Sequence, residues 1–212
     1  MRYLWILLPL LLTLTACQSA YYSAMEKVGV HKRDILVDRV EAAQQSQQDA
    51  QQQFTSALEQ LSQLINFDGG DLQRMYQTTD QEFQACRKAA EEVSARINSI
   101  DAVATALFNE WQDELDLYTN DRLKRESASK LAATQRQYQS LLNTMRRAEK
   151  SMQPVLSSLQ DNTLYLKHNL NANAIGALKG EFTAIQKDIN KLIVDMNKAI
   201  KQSEQFVATL KQ

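Results

Sequence analysis

The feature that most constrains this chain is the spacing of apolar residues between Tyr76 and Trp111. The inward candidates are Tyr76, Thr79, Phe83, Cys86, Ala90, Val93, Ile97, Ile100, Ala104, Leu107 and Trp111. The gaps between them alternate three, four, three, four without a slip. This rhythm averages about 3.5 residues over about five heptads, the period of a helical seam packed on other helices. A strand cannot produce it, because side chains on one face of a strand repeat every second residue.

Three further stretches keep the same rhythm. The first strengthens from a weak start at Ala24, Met25 and Val28 into Leu36, Val40, Ala43, Gln47, Ala50, Phe54, Ala57, Leu61 and Leu64. Gln occupies seven of the ten positions from Gln44 to Gln53. A Gln-rich run is compatible with disorder, but Ala43, Ala50 and Phe54 hold the seam through it and predict an uncharged helix face. The third stretch carries Leu131, Thr134, Tyr138, Leu141, Met145, Ala148, Met152, Val155 and Leu159, and resumes at Leu164, Leu166 and Leu170. Pro154 lies within it and predicts a kink, since proline lacks the backbone donor and crowds the preceding turn. The fourth carries Ile175, Leu178, Phe182, Ile185, Ile189, Leu192, Met196, Ala199, Ser203, Phe206 and Leu210. Gly176 and Gly180 within it are four residues apart, a spacing that permits close helix approach.

Turns are marked by composition. Asn66-Phe67-Asp68-Gly69-Gly70-Asp71 supplies two glycines to end a helix and an Asp to cap the next. Thr79 and Glu82 match a capping box, which predicts that the second helix starts properly there, after a separate turn over residues 72–77. Tyr118-Thr119-Asn120-Asp121 contains cap-forming residues that are poor in helix interiors and predicts a break. Asn169 to Asn173 reads as a turn and cap. With only five Gly and two Pro in 212 residues, the expectation is an all-α fold with coiled-coil seams. Helices are expected over residues 24–65, 71–118, 121–169 and 173–211. Four seams of similar length joined by short turns predict an elongated up-down-up-down four-helix bundle over residues 24–212.

The N-terminus carries the most specific motif. Arg2 precedes a mostly apolar run of twelve residues, Tyr3 to Leu14, too short to span a bilayer at ~20 residues but fitting the core of a secretory signal. Leu14-Thr15-Ala16-Cys17 resembles a bacterial lipobox. That resemblance implies a leader over residues 1–16, cleavage between Ala16 and Cys17, and a lipidated tether over residues 17–23. The sulfur of Cys17 would carry diacylglycerol and its amine an acyl chain such as palmitate. One acyl chain holds a protein only marginally on a membrane, whereas two or three anchor it stably. Gln18, where an Asp would favour inner-membrane retention, implies the outer membrane and its periplasmic face. With Cys17 lipidated, Cys86 is a lone thiol. It could pair between chains, yet its place on the seam suits a buried, inert thiol better.

Catalytic motifs are absent from the sequence. The glycines Gly29, Gly69, Gly70, Gly176 and Gly180 build no phosphate loop. His31 and His168 are far apart and lack a partner at metal-ligand spacing, so no cofactor or metal is expected. The formal net charge is −1, which supplies no field for nucleic acid. Arg122, Lys124, Arg125 and Lys130 follow the acids Glu110, Asp113, Glu114 and Asp116, which favours ion pairs within the bundle. Arg146, Arg147 and Lys150 form a second basic group. Trp111 and Tyr118, taken as the distal end, are candidates for a contact site. Phe83, Tyr138, Met145 and Met152 are candidates either for core or for the wall of a ligand cavity.

Three segments carry a family resemblance: Ala106-Leu107-Phe108-Asn109-Glu110-Trp111, Met145 to Val155, and Leu166-Lys167-His168-Asn169-Leu170-Asn171-Ala172. Over most of the mature length the chain resembles an uncharacterised family of gammaproteobacterial coiled-coil lipoproteins, defined as a domain of unknown function. Some of its members are titled DNA-repair ATPases. The resemblance brings no catalytic residues with it. The expected function is that of a non-enzymatic, membrane-anchored scaffold or interaction protein, with an envelope protein as partner or self-association. A helical bundle binding a small ligand or lipid is the alternative, and a nucleotide hydrolase the remaining one.

Overall fold

A computed structural model describes residues 21–22, 24–66, 69 and 71–211. Residues 1–16, expected to form a leader, and Cys17 lie outside the described residues. The fold is all-α, with no strand among the described residues. Four long helices account for most of it: α1 (Lys32–Ile65), α2 (Leu72–Glu114), α3 (Asp121–His168) and α4 (Ala172–Leu210). A short 3₁₀ turn, Leu115–Leu117, follows α2.

The chain divides into two compact units. Unit 1 comprises the described residues up to Arg39 together with Ser99–Arg136, and unit 2 comprises Val40–Asn98 and Gln137–Gln212. Helices α1, α2 and α3 contribute residues to both, while α4 belongs wholly to unit 2.

Unit 2 is a closed ring of four antiparallel helical segments, and polar contacts between neighbours fix the order. Gln53 of α1 donates to Glu82 of α2 at 2.7 Å. Ser94 of α2 donates to Glu149 of α3 at 2.5 Å, and Arg146 donates to Asn98 at 2.7 Å. Gln202 of α4 donates to Ser140 of α3 at 3.1 Å. The ring closes where Gln44 of α1 meets Glu204 at 3.2 Å and Lys211 meets Glu41 at 2.7 Å. In each pair of neighbours one chain runs up while the other runs down, the expected bundle topology.

The seams form the core of this unit. Val40 to Leu64, Thr79 to Ile97, Tyr138 to Leu159 and most of the α4 seam are buried at the predicted positions. Tyr76, Trp111 and Phe182 are only half-buried. The α3 seam after Leu159 departs from expectation: Asn162, Thr163 and Leu166 turn inward, while Leu164 and Leu170 are exposed. Continuing the three-four rhythm from Leu159 reaches 162 or 163 and then 166, so periodicity outweighed side-chain polarity. Thr163 satisfies its hydroxyl on the Leu159 carbonyl at 2.8 Å, which makes its burial tolerable.

Unit 1 contains the start of α1, the end of α2 and the start of α3, with the short helical segment over residues 24–27 before them. α1 buries Ile35, Leu36 and Val37 in succession, and α2 buries Val103, Ala104, Leu107 and Phe108. α3 buries Leu131 and Thr134 in the same unit. Trp111 Nε1 donates to Ser127 at 2.8 Å and so ties α2 to α3.

Several local expectations are corrected. The first helix does not run unbroken from residue 24. Residues 24–27 are helical, and the chain turns before α1 starts at Lys32. Val30 N donates to Met25 O at 3.0 Å and Gly29 N to Glu26 O at 3.0 Å, with Gly29 at φ +83°. This is a Schellman stop, whose left-handed residue is cheapest as glycine. The second helix starts at Leu72, not Thr79. Asp71 caps it by accepting from Arg74 N at 3.1 Å, and Thr79 instead donates to Met75 O within the helix. The helix ends at Glu114, before the expected 118, and Asn120 caps α3 by accepting from Arg122 N and Leu123 N at 3.0 and 3.2 Å. α3 continues through Pro154. Gly176 and Gly180 do not mediate close approach: both are exposed, and a Cβ at either would meet nothing within 4 Å.

Candidate functional site

The clearest convergence of charged groups lies in unit 1, where the chain enters the fold. The short helical segment ending at Lys27 folds back through the Gly29 stop, bringing Glu26 to Lys32. Lys32 Nζ bonds to Glu26 and, at 2.8 Å, to Glu110 Oε1 of α2. The Lys32 side chain is 12% exposed and both carboxylates 33%. Its ammonium also lies 5.9 Å from the centre of the buried Tyr22 ring. Two carboxylates and an aromatic face therefore surround one cation, a clasp that pins the entering segment to α1 and α2.

The electrostatics agree with this arrangement. Burial disfavours the Lys32 charge, but the hydrogen bonds it donates to Glu110 and Glu26 outweigh it and hold the ammonium above its ordinary pKa. The Lys32 hydrogen bond holds the Glu26 carboxyl below its ordinary range against the opposing effect of burial. Burial raises the Tyr22 phenol, with nearby Arg39 pulling the other way. Beside the clasp is a hollow of about 360 Å³ bordered by Glu26, His31, Arg33, Leu107, Glu110 and Glu114. Glu26 and Glu110 are both engaged by Lys32, and no described side chain of the hollow is placed as a nucleophile with an adjacent base.

The sequence-derived candidates are dispersed. Ala16 and Cys17 lie outside the described residues. His31 is exposed on the rim of the hollow, and His168 is exposed in the last turn of α3. Cys86 is fully buried, with Sγ 3.6 Å from the Gln53 carbonyl. Burial pushes its thiol up to about 12, helped by the negative charge of Glu82, so little thiolate exists at neutral pH. Met145, Met152 and Tyr138 are core: both methionines are fully buried, and Tyr138 packs against Phe206 with ring centres 6.1 Å apart. Phe83 alone of those four borders a groove, about 530 Å³ between α2 and α3, with Arg87, Glu91, Ser94 and Asn98 along it. Lys124 pairs with Asp116 at 3.1 Å and Arg122 with Glu126 at 3.5 Å, so both bases engage acids within their own unit.

Sequence reasoning missed Lys32 as a site residue. The signal was present only in part. Gly29 marks a stop, but no local pattern joins Lys32 to Glu110, which lies 78 residues away.

The segments that carried the family resemblance have definite structural tasks. Asn171 caps α4, accepting from Asn173 N and Ala174 N at 3.0 and 3.2 Å. Asn169 Nδ2 closes the end of α3 on the Tyr165 carbonyl at 2.9 Å. Arg146 and Glu149 link α3 to α2, and Trp111 links α2 to α3. A family model described as Protein of unknown function (DUF2959) matches residues 21–210. The chain belongs to this family. No curated protein matches the sequence. The family match begins at Tyr21 and includes the clasp and both units. It brings neither a named activity nor an assigned site, so the arrangement of the residues carries the functional argument.

Proposed function

We propose that the protein is a non-catalytic scaffold of the bacterial cell envelope, held by lipid on Cys17 to the periplasmic face of the outer membrane. The observation that carries this reading is the Leu14-Thr15-Ala16-Cys17 motif four residues before a helical body. The reactive side chains of that body support it, being either isolated or engaged in structure. Cys86 is buried, His31 and His168 are solvated, and Lys32 of the clasp is engaged by Glu26 and Glu110. Among the described residues, His, Cys, Asp and Glu form no group suited to a metal ion. Interspersed polar helix faces offer contact area to an envelope protein, which the scaffold would hold near the membrane.

The test is in-cell crosslinking of the native protein in an envelope preparation, with mass spectrometry of the N-terminal peptide. A triacylated Cys17 peptide and one recurrent crosslinked envelope partner are the expected result. An unprocessed leader, or an acylated protein that crosslinks to nothing recurrently, overturns it.

A further inference from the structure

The α2–α3 turn is not distal to the start of the chain. Within unit 1, Lys32 at the start of α1 bonds to Glu110 near the end of α2, and Glu114, the last residue of α2, borders the same hollow as Glu26 and His31. The turn over residues 115–120 therefore lies at the end of unit 1 where the chain enters. That end is unusually apolar for a solvated turn. Leu117 is 78% exposed and Val28 73%, and Tyr21, Tyr118 and Leu123 are also exposed. The buried partner of this group, Leu115, already serves the core of the unit.

We propose that this end of unit 1 rests in the headgroup layer of a phospholipid bilayer, with Leu117 in the acyl boundary and Tyr118 and Tyr21 at headgroup level. The inference rests on the lipid-anchor reading and deepens it. Tyr21 is four residues beyond Cys17, and four residues span at most ~14 Å. A Cys17 acylated in the membrane surface therefore keeps Tyr21 within ~14 Å of it, about twice the thickness of one headgroup layer. The clasp of Glu26, Lys32 and Glu110 then fixes the turn beside Tyr21, because it joins the entering segment to the end of α2. Exposed leucines flanked by tyrosines match the chemistry of that layer, where aromatic rings with a polar tip are favoured and aliphatic side chains leave water. Of the nearby bases, Lys124 is paired with Asp116 and Arg122 with Glu126, while Arg125 and Lys27 are exposed. The apolar and aromatic side chains of the tip are tested first on zwitterionic lipid.

The test uses the full chain, expressed as its precursor and purified after processing, in phosphatidylethanolamine–phosphatidylcholine vesicles. A Tyr118→Trp substitution in a Trp111→Phe background reports quenching by lipid brominated in the upper acyl chain, and Tyr165→Trp in unit 2 serves as the comparison. Mass spectrometry of the Cys17 peptide and vesicle flotation are run on the same samples. Quenching at 118 at least about twofold greater than at 165, and reduced by Leu117→Asp without loss of flotation, supports the proposal. Acylated, floating protein with equal quenching at the two positions overturns it while leaving the anchor standing. The same holds if the tip crosslinks to a protein and shows no lipid quenching. Unacylated protein that does not float removes the anchor, and the proposal with it.

Discussion

Unit 2 and unit 1 are built by the same heptad rhythm but spend it differently. In unit 2 four helical segments close a ring around their seams, and some seam positions are polar: Gln47, Asn162, Thr163 and Ser203 are all buried there. In unit 1 segments of α1, α2 and α3 enclose a core to which α2 contributes Val103, Ala104, Leu107 and Phe108. Its apolar character continues outward to Leu117 and Val28, and the largely enclosed Lys32 is held by two acids. The lesson is that equal periodicity does not imply equal surfaces.

The largest effect that would break the comparison lies in the unit 2 seam. Met145→Ala should cost about 2–5 kcal/mol in chemical denaturation, because Met145 is fully buried and its removal leaves a cavity. Leu117→Ser in unit 1 should change stability by less than about 0.5 kcal/mol in the same experiment, as an exposed surface substitution. A comparable loss at both positions would erase the distinction between seam and tip.

Gln47 sharpens the contrast in the opposite direction. It is fully buried and neither its Nε2 nor its Oε1 has a hydrogen-bond partner. The short hydroxyls of Ser203 and Thr163 bond back to their own helix at 2.9 and 2.8 Å, but Gln47 makes no such bond. A buried amide left unpaired costs about 1–3 kcal/mol, so Gln47→Leu should raise stability by an amount of that order. A loss of stability on denaturation would show that the amide is satisfied in solution and that the unit 2 interior is wetter than its seams indicate.

The clasp of unit 1 should show itself through pH. Glu26 has its folded pKa held below the ordinary 4.5. Its contribution is therefore complete above 4.5 and is lost as the pH falls through the folded value. Lys32 is raised above 10.5, so its contribution is complete below 10.5 and is lost as the pH rises through the folded value. Amide exchange of residues 21–30 should accelerate at both extremes after correction for intrinsic rates. Glu110→Gln should accelerate it at neutral pH, at a cost of about 1 kcal/mol for a partly exposed pair. A flat corrected profile between pH 3 and 11, a window chosen to bracket the ~4.5 and ~10.5 reference values, would show that Tyr22 packing alone holds the segment.

Modest effects in the stabilising direction belong to the α4 surface. Gly176→Ala and Gly180→Ala should each raise the thermal midpoint, by about 0.5–1 kcal/mol of stability apiece, because both glycines are helical, exposed and free of close neighbours. A drop at either position would reveal a contact at that face that the ring of unit 2 alone does not supply.

Much of this fold was legible because helix burial is periodic. The positions from Leu36 to Leu64 and from Leu131 to Leu159 are buried as their spacing predicts, and Asn120 and Asn171 mark helix starts through side chains that act within three residues. Local chemistry with two compatible outcomes was read less well. Thr79 and Glu82 fit a cap, yet Asp71 starts the helix earlier and leaves Thr79 in its interior. Gly29 ends one helix through a left-handed φ that a weak apolar pattern did not reveal.

The sequence by itself determined the helices, their order and most of the residues that fill their interiors, because those follow from distances of three and four along one chain. Only the tertiary structure decided that α4 serves unit 2 alone, that Lys32 and Glu110 close on each other, and that the α2–α3 turn lies beside the entering chain. Each of these depends on which helices are neighbours in space, and a heptad carries the period of a contact without the identity of its partner.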